Sequence, residues 1–329
     1  MLQYFLRRLV LTIPTLLVVS VISFTLIQLP PGDYLTSYMA ARAAQGEMMD
    51  QAAIDAMTRQ YGLDQPMYMQ YLRWLGKAVR GDFGQSFLWN RPVSELIWER
   101  LGLTVAISLA ALLFVWAVAF PVSVYAATHQ YSFGDHLFSF FGFIGLGFPD
   151  FMVALILLWI GYRYFDTNLG GLFSDAFIEA PWGWPKFLDM LKHLWVPMVV
   201  LGMGGTAGLI RTTRANLLDE LHKPYVTTAR AKGLTETKLL FKYPVRVALK
   251  PFFATLGWQL PNLVSGATVI AVVLSLPTTG PLYLQALLTQ DMFLAGTIVM
   301  MLSALTVIGT LLSDILLVLV DPRIRYGGG

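Results

Sequence analysis

Of 329 residues, 56% are apolar and only 13% charged, against about one quarter charged in soluble domains; with a mean hydropathy of +0.60, this chain has lipid as its solvent. The absence of cysteine excludes disulfides, thiolate metal sites and cysteine nucleophiles. The formal net charge of +3 does not argue for nucleic acid, because the excess positive charge sits in one segment between apolar blocks, where membrane orientation explains it.

The first apolar block, 9–29, contains 21 residues without a charge and follows Arg7 and Arg8. A helix crosses about 30 Å of hydrocarbon in about 20 residues. The run exceeds the roughly 7–15 apolar residues of a signal peptide and ends in Gln28-Leu29-Pro30-Pro31, so it reads as a retained anchor. The following segment, 30–102, mixes seven Lys/Arg with eight Asp/Glu. Within it Asp50 is placed to cap a helix ending near Gly62, and Gln65-Pro66 to open a second ending near Gly81. In the second, Tyr68, Tyr71, Leu72, Leu75 and Val79 recur at helical spacing. Such a stripe suits either a small cap packed on the membrane domain or a docking surface for an external protein.

Further apolar blocks at 103–126, 137–165, 194–210, 252–276 and 292–320 bring the expected spans to six. Pro121, Pro149 and Pro261 fall inside them, which membrane helices tolerate when neighbours satisfy the freed carbonyls. The fourth is short, but its helical pattern continues through Arg211 and Arg214 towards Leu218. Six spans place both termini on one side. Arg7, Arg8, the basic segment 211–250, Arg323 and Arg325 then face the cytoplasm, although the 127–136 connection on that side has no Lys or Arg. The expected fold is an all-α polytopic membrane protein: N-terminus and first transmembrane helix at 1–29, an extracytoplasmic segment at 30–102, a transmembrane core at 103–320 that includes the basic segment, and a cytoplasmic C-terminus at 321–329.

No nucleotide loop is present. The only Gly-Lys pair, Gly76-Lys77, has Tyr71 where the first glycine of a phosphate-binding loop belongs and Ala78 where its hydroxyl belongs. The four histidines form no His-x-x-x-His or His-Glu-x-x-His set, and no Gly-x-Ser-x-Gly elbow occurs. The chain therefore reads as a non-enzyme, with no catalytic residue, metal site or cofactor of its own. Asp150, after Pro149 in the third block, is a candidate for a translocation path if the helix breaks there; alternatively the block is a lead-in plus a shorter span, with Asp150 against packed protein. Asp314 reads as a local structural pairing. Gly204 and Gly208, four residues apart, mark the fourth span for close helix packing. Trp98, Trp182, Trp184 and Trp195 near span ends read as interfacial anchors.

The segment 211–250 carries nine Lys/Arg against three Asp/Glu. Pro224 suits the first position of a helix and Gly233 the residue just past its end. A helix over 225–232 spans about two turns, too short to be stable alone, and so requires a surface to pack on. Tyr225, Val226 and Ala229 fall on one face, with Arg230 and Lys232 to either side. The alternative is a positive loop resting on lipid headgroups. A self-contained channel or ion-driven carrier remains a rival class, as does a membrane sensor whose basic loop binds a signalling partner.

Thr227-Thr-Ala-Arg-Ala-Lys-Gly233 resembles the loop that permeases of bacterial binding-protein-dependent ABC importers present to their ATPases, usually Glu-Ala-Ala, three residues, then Gly. Ala229 and Gly233 match that pattern, Thr227 and Thr228 depart from it, and the wording from Tyr225 to Leu234 is similar to the oligopeptide/dipeptide branch. Tyr61-Gly-Leu-Asp-Gln-Pro66, Gln70-Tyr-Leu-Arg-Trp-Leu75, Gly81-Asp-Phe-Gly-Gln-Ser-Phe87 and Asp321-Pro-Arg-Ile-Arg-Tyr326 resemble the same branch, end to end and in order. Leu274-Ser-Leu-Pro-Thr-Thr-Gly-Pro281 departs from its usual acidic residue and Phe-Ser-Trp-Pro-Gly, which bears on the substrate. The resemblance implies a bacterial or archaeal inner-membrane permease subunit importing peptides or oligosaccharides by alternating access. Its implied partners are a second homologous permease, two ATP-binding subunits that use ATP and Mg, an external solute-binding protein and the lipid membrane. The implied coupling residues are Tyr225, Thr228, Ala229, Arg230, Lys232 and Gly233.

Overall fold

The computed structural model describes residues 2–28, 39, 54–55, 58–59, 64–254 and 268–320. Among the described residues every regular element is helical: α1 Leu2–Gln28, α2 Met67–Ala78, α3 Val93–Thr128, α4 Phe133–Gly147, α5 Asp150–Phe165, α6 Trp184–His193, α7 Trp195–Leu221, α8 Pro224–Ala231, α9 Glu236–Lys242, α10 Pro244–Ala248, α11 Lys250–Ala254, α12 Thr268–Val273, α13 Thr279–Leu288 and α14 Met292–Val320. Two helices, Val93–Thr128 and Met292–Leu317, are long and apolar enough to cross a membrane, and up to four spans result if each of two bent pairs counts as one. α1 contributes the shorter apolar stretch Ile13–Thr25. Of the helix expected between Asp50 and Gly62 only residues 54–55 and 58–59 are described, all helical; Pro261 with most of the fifth block and the terminal Arg323 and Arg325 lie outside the described residues.

Two of the expected spans are bent. The third block breaks into α4 and α5, which meet at 103°. The cause is local: Pro149 cannot donate a backbone bond and pushes Phe148 out of the helical region, to φ −97°, ψ 133°. Asp150 then occupies the first turn of a new helix, where a negative charge complements the positive end of the helix dipole. The fourth block is entered through α6, bent by 44° from α7, and α7 continues past the apolar run to Leu221 as its pattern implied.

The chain divides into two compact units, Met1–Gly102 with Thr278–Leu305, and Leu103–Pro277 with Thr306–Gly329. In the first, Phe24, Trp74, Phe87, Val93, Ile97, Leu294 and Ile298 form a buried apolar core. α2 presents Trp74 and Ala78 to that core, with Tyr71 and Leu75 partly buried beside them. The stripe read from the sequence was therefore one helical face too wide: Tyr68, Leu72 and Val79 are exposed. Spacing alone could not place Trp74, whose neighbours Arg73 and Lys77 make its side of α2 look polar.

A buried acid pins the same unit. Asp291, fully buried just before α14, accepts from the Ser86 hydroxyl at 2.5 Å, from the Phe87 amide at 2.8 Å and, at the start of α14, from the Leu294 amide at 3.2 Å. A buried donor left without its partner costs about 1–3 kcal/mol. Asp291→Ala is thus expected to lower the apparent unfolding temperature of the detergent-purified protein by several degrees, whereas Asp82→Ala at an exposed turn should leave it within error.

In the second unit α7 is the central helix, with α4, α5, α6, α10, α11 and α12 packed on it. Close approach occurs along its glycine-rich stretch, at one of the two expected positions and at another: a Cβ added at Gly204 would lie 3.6 Å from Asp150 Oδ1 and 3.8 Å from the Gly145 carbonyl oxygen. A Cβ added at Gly202 would stand 2.7 Å from Phe114 Cδ1, while one at Gly208 would meet nothing within 4 Å. Gly145 of α4 does the same from the other side, 3.2 Å from Met203 Cγ. Near its far end α7 is tied to α4 by a bidentate ion pair: Arg214 Nε and Nη2 donate to the two Asp135 oxygens at 2.8 and 2.7 Å. Asp135 also accepts from the Tyr131 amide, and its own amide donates to the capping Ser132 hydroxyl. The connection without Lys or Arg is therefore held by a basic residue borrowed from α7.

The loop between α5 and α6 has its own internal fastening. Lys186, 7% exposed, donates to the Ile178 and Ala180 carbonyls at 3.0 and 2.7 Å, and its ammonium lies 4.9 Å from the Phe173 ring centroid and 5.5 Å from that of Trp182. Trp98, Trp182, Trp184 and Trp195 all keep exposed faces, as interfacial anchors require.

Candidate functional site

The basic segment folds as a chain of short helices hung from the end of α7. After Leu221 the backbone turns at His222 and Lys223, and Lys223, extended at φ −70°, ψ 146°, stands at the cap position of α8. Pro224 occupies the first turn, where a missing N–H costs nothing, and its fixed φ already suits a helix. Gly233 ends the helix in the left-handed region at φ +79°. Its amide donates to the Arg230 carbonyl at 3.0 Å, and the Leu234 amide reaches back to the Ala229 carbonyl. α9 begins after Thr235 and leads into α10 and α11 without a long connection.

What covers α8 differs from the sequence expectation in one respect. Val226 and Ala229 are buried, but against Leu239 of α9 with Leu234 and Tyr243, so the apolar face is satisfied within the chain. A two-turn helix that is marginal alone gains its packing surface from its own successor. Tyr225, assigned to that same face, instead turns its hydroxyl to Glu220 at the end of α7 and sets its ring 6.3 Å from that of Tyr243. Burial and the bond to Glu220 push the Tyr225 hydroxyl well above the ordinary tyrosine value. Arg230 is held by Glu236 through two bonds of 2.6 and 3.0 Å, and the guanidinium keeps the Glu236 carboxyl below its usual range. Both side chains are exposed, so the pair fixes geometry more than it adds stability.

The solvent side of α8 is formed by Tyr225, Thr228 and Lys232, which recur at i, i+3 and i+7, with Arg230 beside them and Gly233 at the tip. The structure thus groups five of the six predicted coupling residues at the surface and turns Ala229 inward. Sequence reasoning missed Glu220 and Glu236, the two acids that orient Tyr225 and Arg230. The signal was available only as opposite charges a few residues away in a segment counted for its net charge. Asp150 belongs elsewhere: it is half-buried at the α4–α5 bend, with Oδ1 3.6 Å from where a Gly204 side chain would begin. Among the described residues no group of three or more His, Cys, Asp or Glu is arranged to hold a metal.

A family model described as the binding-protein-dependent transport system inner membrane component matches residues 119–326, a stretch that contains all of α4–α12. A second, for the N-terminal part of such membrane components, matches residues 1–110. The chain belongs to this family. The permease is 36% identical to the oligopeptide transport system permease protein AppB of Bacillus subtilis (strain 168), over 99% of this chain and 100% of that one. It is 31% identical to the dipeptide transport system permease protein DppB of Escherichia coli (strain K12), over 99% of both, and 31% identical to the glutathione transport system permease protein GsiC of the same strain, over 99% and 100%. The permease is accordingly a transport subunit and not an enzyme, an inner-membrane component that works with an external binding protein and leaves ATP hydrolysis to separate subunits.

Proposed function

We propose that this permease forms half of the transmembrane pathway of a peptide importer, pairing with a second homologous permease above two ATP-binding subunits that use ATP and Mg. Oligosaccharides are the second substrate class, carried by the departure at 274–281 from the usual wording of the peptide branch. Six spans with both termini cytoplasmic complete the topology, the third being the bent α4–α5 pair and the fifth the apolar block 252–276. Residues 30–102 form the extracytoplasmic segment, 103–320 the permease core and 321–329 the cytoplasmic tail. In this arrangement the solvent face of α8 docks in the groove of an ATPase, through Tyr225, Thr228, Arg230, Lys232 and Gly233, while Ala229 holds α8 to α9. Asp150 lies at the break in the third span, where a water-filled path for cargo would meet a carboxylate.

The observation that carries this reading is the mechanical continuity of the segment: α7 is one helix from Trp195 to Leu221, α8 follows after two residues, and Tyr225 bonds back to Glu220 of α7. A push on α8 is therefore delivered to α7 without an intervening flexible linker. Coupling by alternating access requires the groove contact to differ in free energy between two states. Thr228→Cys in the assembled importer tests the docking, because the chain has no other thiol. A reagent reactive to thiols at one end and amines at the other is expected to join the introduced thiol to an ATPase subunit, with a yield that changes when ATP is bound. Cross-links to lipid alone, or a yield indifferent to nucleotide, would remove α8 from the interface.

A further inference from the structure

A second feature lies within the first unit, away from α8. A cavity of about 430 Å³ opens beside α2, walled by Arg59, Arg73, Trp74, Lys77, Asp82 and Phe293 among others. Its volume falls in the range of about 300–1,000 Å³ typical of small-ligand pockets. Three of the named residues are cations and one is an acid. The acid is already engaged, since Asp82 Oδ1 accepts from the Gly84 amide at 2.9 Å. Arg73 and Lys77 stand one helical turn apart on α2, an arrangement of like charges that destabilises a helix when nothing neutralises it. Neither has an ion-pair partner among the described residues.

Trp74 also lines the space, although it is only 2% exposed and its Nε1 is buried away from solvent. Cations that have no ion-pair partner among the described residues and border one concave space have a chemical complement: an anionic oxygen group. Arg73 supplies a fork that suits two oxygens, Lys77 a point charge, and the aromatic wall of Trp74 and Phe293 an apolar side for the carbon skeleton.

We propose that this cavity is a binding site for a carboxylate or phosphate group, carried by a small soluble molecule or by an anionic lipid headgroup. The site is separate from the ATPase-facing loop, so its test does not depend on the coupling role of α8. The purified permease in nanodiscs of phosphatidylcholine is titrated with labelled succinate and, separately, inorganic phosphate by equilibrium dialysis. A parallel arm uses native mass spectrometry to follow phosphatidylglycerol retained from mixed nanodiscs. Saturable binding of a soluble anion, or selective retention of phosphatidylglycerol, is expected and identifies the source. In either arm R73Q/K77Q is expected to weaken binding at least tenfold and R73K/K77R to retain most of it, while circular dichroism stays unchanged. Absence of saturable binding in both arms, or wild-type binding by a folded R73Q/K77Q protein, would overturn the assignment.

Discussion

Replacing Asp135 by asparagine is expected to destabilise the permease by about 3–5 kcal/mol, the cost typical of leaving one member of a buried ion pair without its counter-charge. Asp135 is 3% exposed at its side chain and Arg214 25%, so water can relieve the stranded guanidinium only in part, and the lower end of that range is expected. The lost interaction is a two-pronged one, both guanidinium nitrogens meeting carboxylate oxygens within 2.8 Å, which makes it stronger and more directional than a single contact. Arg214→Gln should cost about as much, because it strands the acid. The double variant should cost clearly less than the sum of the two singles, since no charge is then left alone. Apparent unfolding temperatures of the four proteins in one detergent check this. Additive losses would mean that the two side chains are not coupled, and that α4 and α7 are held together by packing alone.

The second large effect falls at Gly233. Proline there requires φ near −65°, whereas the chain passes at +79°, and it removes the amide that donates to the Arg230 carbonyl. Backbone strain of this kind costs about 1–3 kcal/mol or forces the turn to reorganise. The change lies in an exposed turn outside the apolar blocks, so membrane insertion should survive it. Uptake by the reconstituted importer is nevertheless expected to fall at least tenfold, because α8 can no longer end where Thr228 and Lys232 meet their partner. Gly233→Asn is the control. Asparagine enters the left-handed region at modest cost, and a few-fold loss at most is expected. If asparagine proved as damaging as proline, the requirement at this position would be the absence of a side chain and not the backbone conformation.

The sequence exposed those features whose cause is local. Pro224 and Gly233 bracket α8 because each acts on its own backbone, and the helix lies within one residue of the expected ends. Pro149 likewise broke the third block at a place the sequence marked, although the 103° angle needed the structure. Features that depend on what lies opposite were not readable. The cover over Val226 and Ala229 comes from Leu239 in the next helix, and nothing in a charge count distinguishes an apolar face met by α9 from one awaiting another protein. Arg214 reaches Asp135 across 79 positions, so a connection that seemed to lack basic residues is in fact neutralised by one. That Gly202 makes the tightest approach along α7 while Gly208 meets nothing within 4 Å has the same origin: glycine spacing along α7 was visible, but the position of Phe114 on α3 was not.

Charge gave the basic segment a side, and its geometry gave it a shape. A short helix, fixed at one end to α7 by Tyr225 and Glu220 and braced at the other by Arg230 and Glu236, presents Tyr225, Thr228 and Lys232 outwards. Its proposed work is to convert closure of the ATPases into movement of α7. The most direct test is the amount of cargo taken up per ATP hydrolysed by proteoliposomes of the complete importer carrying either wild-type permease or Gly233→Pro. Continued hydrolysis with the ratio reduced at least tenfold is the expected result. A variant that assembles and transports cargo at the wild-type ratio would contradict the coupling role of α8.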